Sequence, residues 1–318
     1  MYRAILVPVD GSPFSERALP YARMIATLGG AKVLLFRVVP PAEGDSPHAR
    51  EAGRAQLVRE ARSYLDELAA RLPDLSVETA VAEGDAADVI VEEISKNSID
   101  LIVMTTHGRS GLGRWVYGSV ADEIMRRATV PALLVPADCQ FRWPSDRSPR
   151  ILVPLDGSDL SEEVLDPACD LASVLGAELR LIRVVEPHPA AFSDPSMYMM
   201  LDPTPELEAS RSYLDAVANE LRAAGRDVAV QEVFGFAVTT ITDEAREQNA
   251  DLIAMSTHGS SGLTRLIMGS VATGVVQRAT VPILIIRPVS ARQQEGDDDT
   301  STAKRSGEPS TADAHGRS

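Results

Sequence analysis

Cysteine is nearly absent from this chain of 318 residues: Cys139 and Cys169 are the only two. Two thiols make neither a disulfide framework nor a metal-ligand pattern, which excludes the disulfide-stapled and zinc-ribbon classes. Aromatic residues are scarce at 4%, so the cores must be built from Val, Ile, Leu and Ala, and 44% hydrophobic residues supply enough of them. No apolar run reaches the length of a membrane span, and MYRAILVPVDGS has no secretory-signal layout; a cytoplasmic protein is expected. Basic residues are also short, with a formal net charge of −15. The tail 291–318 holds four basic and six acidic residues, so the acidity lies mostly in the body of the chain. Such a body is a poor partner for nucleic acid or anionic lipid.

What the chain does have is a repeat. Residues 99–135 and 250–286 are copies of one segment 151 positions apart, each running from a hydrophobic stretch through Thr-His-Gly to Gly-Ser. Gly108 precedes Gly118-Ser119, and Gly259 precedes Gly269-Ser270, with nine residues between in both. Self-similarity over so long a period means duplicated structural units. Each half reads as alternating strands and helices. In the first, strand Ala4–Val9 ends in Asp10-Gly11-Ser12, and Ser12 is expected to cap a helix with Pro13 at its first position. Strand Lys32–Val39, helix Ala49–Leu72, strand Val77–Ala82, helix Ala86–Asn97, strand Leu101–Thr105, helix Ser119–Ala128 and strand Ala132–Val135 follow. The second half repeats the order with strands Ile151–Leu155, Glu178–Val185, Val228–Phe234, Leu252–Ser256 and Ile283–Ile286. Near-continuous apolar strands alternating with helices indicate a parallel, doubly wound sheet in each half.

Some details set further expectations. Pro8 and Pro154 fall where a central strand should be, which places them at a sheet rim, and Pro20 and Pro167 should kink the first helix of each half. The Asp10 counterpart lies 146 residues on but the glycine loop 151 on, so five residues entered between them, in the Pro187–Pro205 loop. Residues 137–148 read as a linker and 290–318 as a disordered acidic tail. The last strand of each half is apolar and an edge by topology; pairing of Ala132–Val135 with Ile283–Ile286 would cover both and make an intrachain pseudo-dimer.

In an open parallel sheet, ligands bind beyond the carboxyl ends of the strands where strand order reverses. Pro8, Val9 and Asp10 converge there with Val38, Met104, Thr105 and the Gly108–Gly118 loop. Gly108 admits close backbone approach to phosphate, Gly118-Ser119-Val120 presents a helix N-terminus, and Arg109 and Arg114 add charge. Asp10 suits ribose hydroxyls or a hydrated Mg²⁺, or else a simple Asx turn, and Val9 and Val38 are placed to sandwich an adenine. The second half offers Pro154, Leu155, Asp156, Val184, Met255, Gly259, Ser260, Gly269, Ser270 and Val271. Ser260 replaces Arg109 there and Arg265 keeps the place of Arg114, so the loop cations rank the first site above the second. Ser119 and Ser270 read as N-caps. His107 and His258 lack any accompanying nucleophile or orienting carboxylate, which favours a loop-stabilising role over catalysis. Neither loop is a Walker or G-x-G-x-x-G motif.

PVDGS, LFRVVP, the TTHG…GS loop and VPALLV together resemble the universal stress protein family over about 1–136 and 149–289. The resemblance implies two tandem Rossmann-like, adenine nucleotide alpha hydrolase-like domains that dimerise through their last strands. It also implies binding of ATP or ADP, with Mg²⁺ accompanying it, at a G-x-x-G, nine residues, G-S/T motif, and further homodimers remain open. The motif's leading glycine is Thr105 in the first half and Ser256 in the second. The readings are an ATP-binding stress-response regulator without efficient catalysis, an interaction module that holds no nucleotide, and a slow ATPase or phosphotransferase; no residue stands out as a general base for the last.

Overall fold

A computed structural model describes residues 2–106, 118–137, 139–187, 202–259 and 268–288. Most of the loop expected over Pro187–Pro205, most of each glycine loop and the acidic tail therefore lie outside the described residues, and the loop's expected end, Thr204-Pro205, opens a helix.

Strands β1 (Ala4–Pro8), β2 (Lys32–Val39), β3 (Val77–Glu83), β4 (Leu101–Thr105) and β5 (Ala132–Val135) run parallel in the order β3-β2-β1-β4-β5. Strands β6 (Arg150–Pro154), β7 (Glu178–Val185), β8 (Val228–Phe234), β9 (Leu252–Ser256) and β10 (Ile283–Ile286) repeat the arrangement. The two sets join antiparallel through β5 and β10, where Leu134 faces Ile283, Leu133 faces Leu284 and Ala132 faces Ile285. A single ten-stranded sheet results, with all four residues of each seam strand buried. Both apolar edges expected from the sequence thus cover each other. Because the sets are antiparallel, the carboxyl ends of the two halves' strands emerge at opposite margins of the sheet.

Helices cover both faces. On one lie α1 (Leu19–Gly29), α2 (Pro47–Ala70), α6 (Leu165–Leu175) and α7 (Thr204–Ala223); on the other lie α3 (Ala86–Lys96), α4 (Ser119–Arg127), α8 (Ala237–Glu247) and α9 (Ser270–Arg278). A one-turn helix, α5 (Asp159–Glu162), precedes α6. The halves also touch away from the seam. The Tyr2 hydroxyl donates to the Pro167 carbonyl at 3.0 Å, and α1 packs on α6 where Gly29 admits Val174. The linker is anchored: Phe141 meets the Tyr21 ring edge-on, Trp143 packs against the core, and Arg147 grips the Asp251 carboxylate with two bonds of 2.7 and 3.0 Å.

The first helix of each half departs from expectation. Residues 12–14 form a bend and turn, a 3-10 turn spans Ser15–Ala18, and the α-helix begins only at Leu19. Ser12 still caps, since its Oγ accepts from the Ser15 N–H at 3.2 Å, but what it caps is that turn, and Pro13 is not a helical first residue. Pro20 stands in the first turn of α1 and Pro167 in that of α6, where a missing N–H costs nothing. Each proline marks a break between two short helical pieces and kinks neither.

Candidate nucleotide-type site at the carboxyl rim

Strand β1 parts from β4 after Leu6, the last registered pair, so Pro8 reaches the rim with no β4 ladder partner to lose. The chain then turns through Gly11, whose φ of 84° is left-handed, and Gly157 repeats this at 85°. The Asp10 carboxylate stabilises the turn by accepting the Ser12 N–H at 2.8 Å. Asp156 does the same for Ser158, accepting its N–H at 3.0 Å and its hydroxyl at 2.6 Å. Both aspartates are Asx-turn residues, and both also line a cavity. The turn and ligand roles weighed for them from sequence are compatible.

Across the switch point, β4 delivers Thr105 and Thr106, both buried. The Gly118 N–H donates to the Thr106 carbonyl at 2.9 Å, and Gly269 bonds Thr257 in the same way at 2.8 Å. These bonds pin the start of α4 and α9 over the strand ends. Here the capping assignment is corrected: Gly118 and Gly269 are the N-caps, and Ser119 and Ser270 are first helical residues. A cap has extended backbone while its carbonyl accepts the first helical bond. Gly118, with φ −62° and ψ 142°, meets that by accepting from Asp122 N–H at 3.1 Å, and Gly269 accepts from Thr273 N–H at 2.9 Å. A glycine cap has no side chain to occupy the next N–H groups, which leaves the helix start open to an anion.

Every described residue expected at the first site lines one cavity: Pro8, Val9, Asp10, Val38, Met104, Thr105, Gly118, Ser119 and Val120. The second cavity gathers Pro154, Leu155, Asp156, Val184, Met255, Gly259, Gly269, Ser270 and Val271. Thr105 forms wall and does not fill the hollow. Gly108, Arg109, Arg114, Ser260 and Arg265 lie outside the described residues. Sequence reasoning missed Ala86 and Ile90 of α3 and Ile241 of α8, whose helical period marked them only as buried face.

The cavities differ. The first encloses about 280 Å³ and the second about 590 Å³. Small-molecule sites usually span ~300–1,000 Å³, so the second has the roomier form, opposite to the ranking suggested by the loop cations. The extra space reaches Arg183 of β7 and α7, which adds Glu206, Ala209 and Ser210. Ser210 is buried, and its Oγ has no hydrogen-bond partner. An unsatisfied buried hydroxyl costs about 1–3 kcal/mol. A second asymmetry sits at the anion end: Asp122 stands in the first turn of α4, whereas α9 has Thr273 there and no acidic residue in its first turn. A carboxylate at that place competes with an incoming phosphate for the helix dipole.

The Thr257 hydroxyl and His258 Nδ1 lie 2.8 Å apart, and the His258 N–H donates to Ser256 Oγ at 3.3 Å. These contacts fit the loop-stabilising role. Beside each cavity an arginine stacks on a tyrosine that bonds a glutamate: Arg37 on Tyr64 with Glu16, and Arg183 on Tyr213 with Glu162. Burial, reinforced by Glu16, pushes the Tyr64 phenol up to about 12, and burial with Glu162 raises Tyr213 as well. Among the described residues no group of three or more His, Cys, Asp or Glu side chains forms a metal site, and no helix is long and apolar enough to cross a membrane.

Comparison with known proteins supports the assignment of both halves. The family model described as "Universal stress protein family" matches residues 1–136 and 148–287. A universal stress protein of Mycolicibacterium smegmatis is 27% identical over 297 residues, covering 89% of this chain and 97% of its own. A Mycobacterium tuberculosis universal stress protein is 27% identical over 299 residues, covering 89% and 96%. Among solved structures, a universal stress protein from Archaeoglobus fulgidus aligns with TM-score 0.67 at 22% identity, covering 89% of this chain and 98% of its own, which shows a shared fold.

Proposed function

Because the chain belongs to the universal stress protein family, we propose that it is a regulatory protein that binds adenine nucleotide at the carboxyl rim of each half and does not catalyse efficiently. One observation carries this reading: in both halves a glycine-capped helix start, pinned to the strand end by Gly118 or Gly269, closes a cavity that apolar side chains also line. The cap supplies backbone N–H groups and a positive dipole end for phosphates. Met104, Ile90 and Val120 in the first half, and Met255, Ile241 and Val271 in the second, supply an apolar slot for a flat base. With no side-chain metal cluster among the described residues, Mg²⁺ would travel with the phosphates and reach Asp10 or Asp156 through water.

Mass spectrometry of ligand released from the purified, denatured protein tests the proposal, followed by calorimetry with ATP. Wild-type protein should bind, and Gly118→Val with Gly269→Val should abolish the heat, since a β-carbon at 269 would stand 3.1 Å from the Thr257 carbonyl and force the helix start away from the strand end. Unchanged heats in the double variant would eliminate the cradle. The interaction-module reading draws on the small first cavity, and absence of any ATP heat in the wild type would put it ahead.

A further inference from the structure

The two halves are not interchangeable. Aligned on the helix that follows the second strand, Ser210-Arg211-Ser212-Tyr213-Leu214-Asp215 matches Ala61-Arg62-Ser63-Tyr64-Leu65-Asp66, so Ser210 stands where the first half has Ala61. Both positions are buried. Ala61 lies outside the first cavity, whereas Ser210 lines the second with an unpartnered hydroxyl. A polar group orphaned inside a fold calls for a reason, and a ligand that completes its bonding is one. The same cavity is lined by Asp156, Glu206 and Arg183, and by Glu186, whose carboxylate accepts the Ala237 N–H at the start of α8. Carboxylates such as Asp156 and Glu206 repel a phosphate, but sugar hydroxyls donate to carboxylates and exchange hydrogen bonds with a serine. Ile241, Val271 and the glycine-capped start of α9, proposed for base and phosphates, belong to helices on the other face of the sheet from the lobe beside α7. What remains for this lobe is the sugar.

We infer that Ser210 is a specificity-determining contact: its hydroxyl reads the ribose hydroxyls of a nucleotide held in the second half, and the first half lacks this contact. The inference rests on the nucleotide reading of the site. It makes the second half the sugar-selective one and leaves the first tolerant of deoxynucleotides.

Calorimetry on the full chain tests this, with Gly118→Val used to silence the first site. In that background Ser210→Ala should weaken ATP binding about tenfold, the value of one good hydrogen bond to a ligand. Either 2′-deoxy-ATP or 3′-deoxy-ATP should bind the parent and the Ser210→Ala variant alike, because the group that Ser210 reads is then gone from the ligand. In a Gly269→Val background, which isolates the first site, Ser210→Ala should change nothing. Without ligand, the Ser210→Ala protein should melt no lower than its parent, since it has lost only an unsatisfied group. ATP affinities of Ser210→Ala and parent that agree within about twofold would overturn the inference while leaving nucleotide binding intact. A melting temperature lowered by several degrees would assign the hydroxyl to the fold and overturn it too. No ATP heat in the parent would overturn both.

Discussion

The Asp156 carboxylate lies directly against Gly259, so close that a β-carbon at 259 would collide with Oδ2. The backbone at 259 is not left-handed, so the glycine is there for space and not for conformation. The first strand's turn and the glycine loop are thereby locked to each other across the switch point.

Gly259→Ala should therefore push Asp156 off its turn and destabilise the protein by about 1–3 kcal/mol, the usual cost of overpacking. In an Asp156→Ala background the same substitution should cost almost nothing. Chemical denaturation of the four proteins measures the coupling, and equal costs in both backgrounds would disprove the contact.

The seam predicts one melting transition. Leu133 and Leu284 are Cα partners with no exposure, and truncating either to Ala should cost about 2–5 kcal/mol. Calorimetry should show the single transition of the whole chain moving down. Two separated transitions in the wild type would show that the seam does not unify the halves.

Alkaline pH should loosen the fold through tyrosines such as the half-buried Tyr64. Tyr64 is raised from 10.0 to about 12, so the folded state holds its proton more tightly than the unfolded chain. That contribution is fully present below about pH 10 and disappears as pH rises towards 12. Tyr64→Phe should flatten the pH dependence of the melting temperature in this window, and tyrosinate absorbance should show a late-titrating group missing from the variant.

At the first site the Asp122 carboxylate opposes an incoming phosphate at the start of α4. Asp122→Asn should tighten nucleotide binding there by about 0.3–1 kcal/mol, the scale of a charge at a helix end. Its bond to Arg126 is an exposed i,i+4 pair of little consequence for stability. Weaker binding in a calorimetric titration would refute the electrostatic account.

Much of this molecule was legible because strand signals are local. Lys32–Val39, Leu101–Thr105, Ala132–Val135 and their counterparts fall at the bounds expected from apolar runs and flanking turn residues. The seam was legible for a topological reason, since two matching apolar edges have one economical cover. The first helix and the caps of α4 and α9 were not, since the helix expected from Pro13 begins at Leu19 and the expected caps Ser119 and Ser270 follow glycines that do the capping. Only the backbone shows which residue is extended and which carbonyl accepts the first bond. The site's wall was half legible. Strand-end residues were found from the switch-point rule, while Ile90, Ile241 and Ser210 come from helices whose inward face is mostly core. The single visible signal for Ser210 was the exchange of Ala61 for serine within an otherwise matching SYLD segment.

The antiparallel junction of the two strand sets has a geometric corollary. With the mouths at opposite margins, a molecule bound in one would leave the other sterically untouched. Any dependence of one half on the other would then travel laterally, through the three seam pairs centred on Leu133–Leu284 and through bridging contacts such as Tyr2–Pro167, Gly29–Val174 and Arg147–Asp251.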